Sequence, residues 1–365
     1  MEGPSTPRRP ADDPTGALVE RLSRATIGAL ELYAIYLGER LGLYRALAER
    51  GPATSSELAE RTGTVERYVR EWLEHHAASG LVDVDDPGRT PDDRRYRLPA
   101  AHVPVLADPD DVRYQAHKGI EMVRASRPLP QLVEAFRTGG APPPLPWEPE
   151  GRAEFNRPLF VNLLGTVWLP AIDDVDRRLR ADPPARVADI ACGTGWSSIA
   201  VAKAYPAITV DGFDLDPDVI AVATRNAAAA GVADRVSFSV TDAASPSVSG
   251  RYDLVTIFEA LHDMARPVAA LRAARAMLAD GGAVLVADEL VENEFTAPGP
   301  DHDRLAYGWS VVSCLPYAMG DPETAATGAV MRPATLVSYA TEAGFGGVDV
   351  LPIVTDYWRF YRLTV

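Results

Sequence analysis

The stretch that decides the fold is Arg186-Val-Ala-Asp-Ile-Ala-Cys-Gly-Thr-Gly-Trp-Ser-Ser-Ile-Ala-Val-Ala-Lys203. It opens as a short apolar run, Val187 to Ala191, and turns through Gly193-Thr194-Gly195. It then resumes with Ile199, Ala200 and Ala202 on one helical face. A strand, a glycine turn and a helix opening follow one another, the arrangement in which a ligand lies against bare backbone because glycine has no Cβ in the way. Asp189 stands just before the turn.

Working outward, the chain downstream alternates strand and helix. Apolar runs at 186–191, 209–214, 236–241, 252–258 and 282–288 read as strands, and helical segments are expected at 197–204, 218–230 and 267–278. This predicts an α/β fold built on a doubly wound, mostly parallel sheet. The chain closes differently: a helix over 333–343 precedes segments 348–354 and 357–365, which read as an antiparallel pair at the sheet edge.

Upstream, residues 17–50 carry apolar positions at helical spacing, including Ile27, Leu30, Leu37, Leu41, Tyr44 and Leu47, with Gly38 and Gly42 weakening the helix. Thr54-Ser-Ser-Glu57 is a capping-type helix start. A short helix, the turn Thr62-Gly63-Thr64, a second helix from Val65 to about Ser79 and two short strands around 81–84 and 96–98 make a winged helix. Its second helix mixes Glu66, Glu71 and Glu74 with Arg67 and Arg70, and its hairpin adds Asp83, Asp85, Asp86, Asp92 and Asp93. That is no basic stripe, so a packing or dimerisation module is the preferred reading over DNA binding. Residues 110–180 are helical and aromatic-rich, interrupted by Gly139-Gly140 and the prolines at 142–146. The expected organisation is a disordered tail at 1–16, a winged-helix domain at 17–109, a helical connector and pocket wall at 110–180, and the sheet domain at 181–365.

Composition narrows the function classes. The chain has 365 residues, 47% apolar and 24% charged, with a net charge of −15. The acidic balance argues against a nucleic-acid partner, whose phosphates select Lys and Arg. No apolar run is long enough to cross a bilayer, and the first residues, with Pro4, Pro7, Pro10 and Pro14, contain no signal-peptide core. Two cysteines, Cys192 and Cys314, make no disulfide framework, and the expected compartment is the cytoplasm.

Ligands of open α/β sheets sit at the carboxyl ends of the strands. Here those ends carry Asp189 with Gly193 and Gly195, then Asp214, Asp242, the run Phe258-Glu259 to His262-Asp263, and Asp288-Glu289. Asp214 follows Gly195 by about 20 residues, a spacing suited to a carboxylate on ribose hydroxyls. The spacing fits either NAD or S-adenosylmethionine. Ser198 occupies the place where a dinucleotide site wants Gly or Ala. Asp189 would repel a pyrophosphate but can hold a cationic amino group, and Asp242 can accept from an adenine amino group. These three favour the sulfonium cofactor.

Val187-Ala-Asp-Ile-Ala-Cys-Gly-Thr-Gly-Trp196, Asp211-Gly-Phe-Asp-Leu-Asp216, Thr241-Asp-Ala-Ala244 and Phe258-Glu-Ala-Leu-His-Asp263 resemble the ordered motifs of class I S-adenosylmethionine-dependent methyltransferases. Ala191 departs from the family's usual glycine. Leu37 to Tyr44 and Glu66 to Leu73 are similar to a bacterial subgroup with a winged-helix leader, related to the small-molecule O-methyltransferases. The resemblance implies a Rossmann-like fold, with cofactor contacts from Asp189, Ala191, Gly193, Gly195, Trp196, Asp214, Leu215, Asp242, Ala243 and Phe258. It also implies a homodimer through the leader, which covers the active site, and O-methylation of a small molecule in bacterial secondary metabolism. His262 matches the position of the family's catalytic histidine and is the candidate general base, with Asp263 and Asp288 as orienting partners; a packing role beside the cofactor is the alternative. Trp147, Phe155, Tyr307, Trp309 and Met319 are the expected substrate pocket, and the 291–331 insertion, which also carries Tyr317, is expected to help form it. No metal is expected, Asp301-His302-Asp303 reading as a solvated loop. Two rival functions remain at this point: a ligand-sensing winged-helix regulator, and a non-methylating enzyme that binds the same cofactor.

Overall fold

A computed structural model describes residues 13–143, 155–242 and 251–365. The backbone divides into two compact units, 1–124 and 125–365.

In the first unit the leading helix α1 (Pro14–Arg40) starts at Asp13, whose side chain accepts from the Thr15 N–H. Residues 14–16, expected in the tail, therefore already belong to the helix; residues 1–12 lie outside the described part. The single long helix expected over 17–50 is two. Gly42 takes a left-handed φ of 68° and breaks it before α2 (Leu43–Arg50). Gly38 stays helical, and a Cβ there would fall 2.6 Å from both Trp72 and Tyr44. Helix α3 (Ser55–Thr62) carries a complete Thr54/Glu57 capping box, and α4 (Glu66–Ala78) follows. The wing is minimal: β1 (Asp83–Val84) pairs antiparallel with β2 (Tyr96–Arg97).

Among the described residues the second unit holds seven strands: β3 (Arg186–Ile190), β4 (Thr209–Asp214), β5 (Val236–Val240), β6 (Tyr252–Phe258), β7 (Leu278–Glu289), β8 (Gly347–Val350) and β9 (Trp358–Thr364). Their order is β5-β4-β3-β6-β7-β9-β8. The first five run parallel; β9 pairs antiparallel with both β7 and β8. The fold is α/β with a Rossmann-like, mostly parallel sheet and an antiparallel C-terminal hairpin. The central strands β3 and β6 are buried along nearly their whole length, the pattern of a parallel sheet covered on both faces. One core layer joins Leu164, Trp168, Ile199, Val201 and Phe360. The other joins Ile190, Ile257, Leu271, Val286 and Leu336.

Strand order reverses direction at β3, between β4 and β6. That switch point leaves a crevice beyond the carboxyl ends of the strands, and the glycine turn lies there.

Candidate active site

The turn after β3 is built from strained and unstrained left-handed residues together. Gly193 and Gly195 have φ of 54° and 83°, and Ala191 has φ of 56°. A Cβ on Gly195 would lie 2.5 Å from the Phe238 ring, so glycine is required there by packing as well as by φ. A Cβ on Gly193 would meet nothing within 4 Å, because that backbone opens directly onto a cavity. Ala191 holds the conformation for which glycine is the unstrained residue, at a cost of about 1–2 kcal/mol.

Asp189 is buried beneath the turn. One carboxylate oxygen accepts from Ser197 Oγ at 2.5 Å and Ser198 Oγ at 2.6 Å, and the other accepts from Thr256 Oγ1 at 2.8 Å. Burial pushes its carboxyl above the usual range, and the three hydroxyls pull the other way. The carboxylate thus ties the start of the helix Trp196–Ala204 to strand β6. Neither Ser197 nor Thr256 stood out in the sequence, and Ser198 stood out only as the wrong residue for a dinucleotide.

At the end of β4, Asp214 accepts from the Gly193 N–H at 3.0 Å and from the Asp216 N–H at 3.1 Å. These bonds fix the carboxylate against the turn. Past β5, Asp242 accepts from Arg266 at 2.6 Å, a partner that sequence reading did not supply.

The cavity around these groups is about 600 Å³, the size of a small-molecule site. Of the expected cofactor residues, Asp189, Ala191, Gly193, Trp196, Asp214, Leu215, Asp242 and Phe258 line it. Gly195 lies in the turn behind, and Ala243 falls outside the described residues. Seven of the described lining residues are carboxylates (Asp189, Asp214, Asp216, Asp242, Glu259, Asp263 and Asp321) and one is an arginine, Arg266. A pyrophosphate would be repelled here, whereas a sulfonium with an ammonium group is complementary. The open backbone at Gly193 and this donor set fit S-adenosylmethionine.

Beyond the cofactor end, the wall is Asn156, Glu259, Asp263, Ser313, Cys314 and Tyr317. Asn156 donates to Glu259, itself a non-glycine residue at φ 50°. Such strained positions cluster at functional sites. No sequence motif marks Asn156, and none gives Cys314 a role.

His262 is buried, 2% exposed, just behind this wall. Its Nδ1 lies 2.6 Å from Asp288 Oδ1, and its Nε2 lies 3.3 Å from Asp263 Oδ1. Asp288, at the end of β7, also receives the His262 and Glu289 backbone N–H groups. Burial alone would lower the imidazole pKa, but Asp288 and Asp263 outweigh it and hold the pKa well above the ordinary value. The three residues expected to do acid–base work are therefore brought together.

Of the expected substrate residues that are described, Tyr317 joins the cavity wall and the others do not. Tyr307, Trp309 and Met319 do not line the cavity; Tyr307 instead contacts Phe295 edge-on, with Arg332 donating to its hydroxyl at 3.3 Å. Phe155 packs edge-on against Tyr357, and Trp147 lies outside the described residues. The physical reason is a change of helical register. The helix Asp301–Trp309 passes into a π-helical turn, Ser310–Cys314, before Leu315–Ala318. Ser313, Cys314, Tyr317 and Ala318, in and just after this wider turn, line the cavity, a register that counting along a regular helix does not give.

Comparison with known proteins agrees with this fold. Residues 187–282 match the family model of a methyltransferase domain, and residues 28–108 match that of an Rv2258c-like winged HTH domain. The chain is an S-adenosylmethionine-dependent methyltransferase. It is 29% identical over 266 residues to the mitomycin biosynthesis 6-O-methyltransferase of Streptomyces lavendulae, covering 71% of this chain and 73% of that one. To the 3-hydroxy-5-methyl-1-naphthoate 3-O-methyltransferase of Streptomyces sahachiroi it is 28% identical over 267 residues, 70% of this chain and 73% of the relative. The fold of this methyltransferase also matches human N-acetylserotonin methyltransferase solved with S-adenosylmethionine, with TM-score 0.71 and 20% identity over 98% of this chain and 99% of that one. A mitomycin 7-O-methyltransferase structure gives TM-score 0.67 and 23% identity over 96% and 98%.

Proposed function

We propose that the chain transfers a methyl group to a hydroxyl of a small aromatic molecule of bacterial secondary metabolism, with His262 as the general base. The observation that carries this is the buried pair His262–Asp288, 2.6 Å apart, lying directly behind the cavity-lining Asp263 and Cys314. The two Streptomyces relatives, whose names are those of O-methyltransferases on small molecules, support the acceptor class.

S-adenosylmethionine, when bound, supplies a methyl already activated by the sulfonium. What remains for the protein is to bind, orient and deprotonate the acceptor. Asp214 is suited to the ribose hydroxyls and Asp242, steadied by Arg266, to the adenine amino group. Asp288 holds the His262 ring by Nδ1, which leaves Nε2 to face the wall between Asp263 and Cys314. In the neutral form of the ring, which the raised pKa makes scarcer, a hydroxyl placed there gives its proton to Nε2, and the resulting imidazolium is stabilised by both carboxylates. Carboxylates at this end also favour an acceptor that donates hydrogen bonds over one that carries its own negative charge.

The leader domain is read as a dimerisation module. Leu22, Ile27, Leu30 and Leu37 on α1 are all about half exposed or more, and an apolar stripe of this kind is the mark of an interface. DNA binding is disfavoured because the arginines of α4 already have acidic neighbours: Arg67 with Glu71 at 2.6 Å, and Arg70 with Glu66 and Asp92. Among the described residues, no helix is long and apolar enough to cross a membrane. We read the enzyme as cytoplasmic, free of nucleic acid and dimeric.

The test is turnover on a panel of phenols with product identification. Expected are equimolar S-adenosylhomocysteine and a methyl ether. S-adenosylhomocysteine from amines or carboxylates alone would overturn the hydroxyl acceptor, and a cofactor that binds without being consumed would overturn methyl transfer. Light scattering at twice the chain mass is expected for the dimer; a monomer would remove it.

A further inference from the structure

Three side chains meet where the cavity wall covers His262. His262 Nε2, a carboxylate oxygen of Asp263 and Cys314 Sγ all lie within 4.8 Å of one another. They come from separate elements: the 3-10 turn Leu261–Asp263 and the π-helical turn Ser310–Cys314. Asp263 and Cys314 line the cavity. We propose that His262, Asp263 and Cys314 form a site for a zinc-type divalent cation, and that its occupancy suppresses methyl transfer.

The donor set selects the ion. One imidazole nitrogen, one carboxylate oxygen and one thiolate sulfur suit Zn²⁺ or Co²⁺. Mg²⁺ and Ca²⁺ want oxygen ligands only and more of them. Three protein ligands leave a fourth tetrahedral position, and two of the three, Asp263 and Cys314, line the cavity. The support behind the imidazole is also present. A metal-bound histidine commonly gives its other ring N–H to a carboxylate, which fixes the tautomer and aims the free lone pair at the ion. Asp288, 2.6 Å from Nδ1 and 1% exposed, stands in that position. Cation binding at these groups releases a proton from the thiol and any proton held on Nε2.

The suppression half rests on the reading of His262 as the base, because the ion takes the Nε2 lone pair that the acceptor proton needs. The binding half does not. The experiment separates them by titrating Co²⁺ into the full chain without acceptor. A thiolate-to-cobalt absorption band is expected to saturate at one equivalent, to be displaced by Zn²⁺ and to be unaffected by Mg²⁺. Cys314→Ser abolishes the band, whereas Cys192→Ser, which alters the other free thiol, keeps it. By calorimetry Asp263→Asn weakens Zn²⁺ binding about tenfold or more; circular dichroism checks that each variant is folded. No band, or a band lost with Cys192 and kept without Cys314, overturns the site. A normal band with turnover untouched by saturating Zn²⁺ keeps the site and overturns both the suppression and the role of His262 as base.

Discussion

Two of the buried histidines, one from each unit, have opposite surroundings. His76 lies in the winged-helix unit, fully buried, with Nε2 2.6 Å from the Tyr44 hydroxyl and Nδ1 2.9 Å from the Trp72 carbonyl. Its ring stacks on Trp72 with centroids 3.8 Å apart. Its hydrogen-bond and ring neighbours are Tyr44, Trp72 and His75, and burial lowers its pKa to about 4. His262 is as deeply buried, but two carboxylates flank it and raise its pKa. Burial is common to both; the partner decides whether an imidazole is a neutral packing piece or a group that holds and moves protons. The lone pair on His76 is spent on a tyrosine inside a core, while Nε2 of His262 sits beside a cavity.

The sharpest way to break this contrast is to remove the reactive ring. His262→Ala is expected to lower kcat on a hydroxyl acceptor by about 10²–10⁴-fold, with cofactor Kd nearly unchanged by calorimetry. Retained turnover would put His262 in the same class as His76. Next in size is the cofactor end, where Asp214→Ala is expected to weaken S-adenosylmethionine binding by about 10²-fold, the loss of charge-assisted hydrogen bonds. An unchanged Kd would remove Asp214 from the site.

The third prediction concerns His76. Its folded pKa of about 4 lies below the ordinary value of 6.5. Between those values the unfolded chain binds more protons than the fold. The stability contributed by keeping this ring neutral is thus fully present above about pH 6.5 and declines as pH falls toward 4, by about 3 kcal/mol in all. Thermal melts of the wild type and His76→Phe across that range test it; equal slopes would exclude His76. The smallest effect is at the turn. Ala191→Gly relieves a left-handed alanine and is expected to stabilise the chain by about 1 kcal/mol or less, because glycine also loses more entropy on folding. A lower melting temperature would show that the methyl packs usefully.

Much of the sheet unit was legible because its signals are local. The buried strands β3 and β6 read as continuous apolar runs, and the glycines follow from the tight turn. The carboxylates Asp189, Asp214, Asp242 and Asp288 stand at strand ends, which topology alone carries to one edge. The winged helix was legible for the same reason, through its capping box and its Gly63 turn. What was not legible comes from far along the chain. Asn156 meets Glu259 across about a hundred residues, and Arg266 reaches Asp242 from the start of the next helix. Neither contact leaves a periodic trace. Composition does not tell the pocket aromatics apart: of those in the insertion, Tyr317 reaches the wall beside Cys314, while Tyr307 and Trp309 do not.

The sequence by itself determined the strand–turn–helix, the carboxylates at the strand ends and, through them, the methyl donor. Only the tertiary structure decided what each carboxylate is used for. Asp189 is held by three hydroxyls, Asp242 is engaged by an arginine, and Asp288 sits against His262. Spacing along a chain fixes which residue types reach the edge of a sheet. Which partners they meet there depends on long-range packing and on the register of helices that no local pattern records.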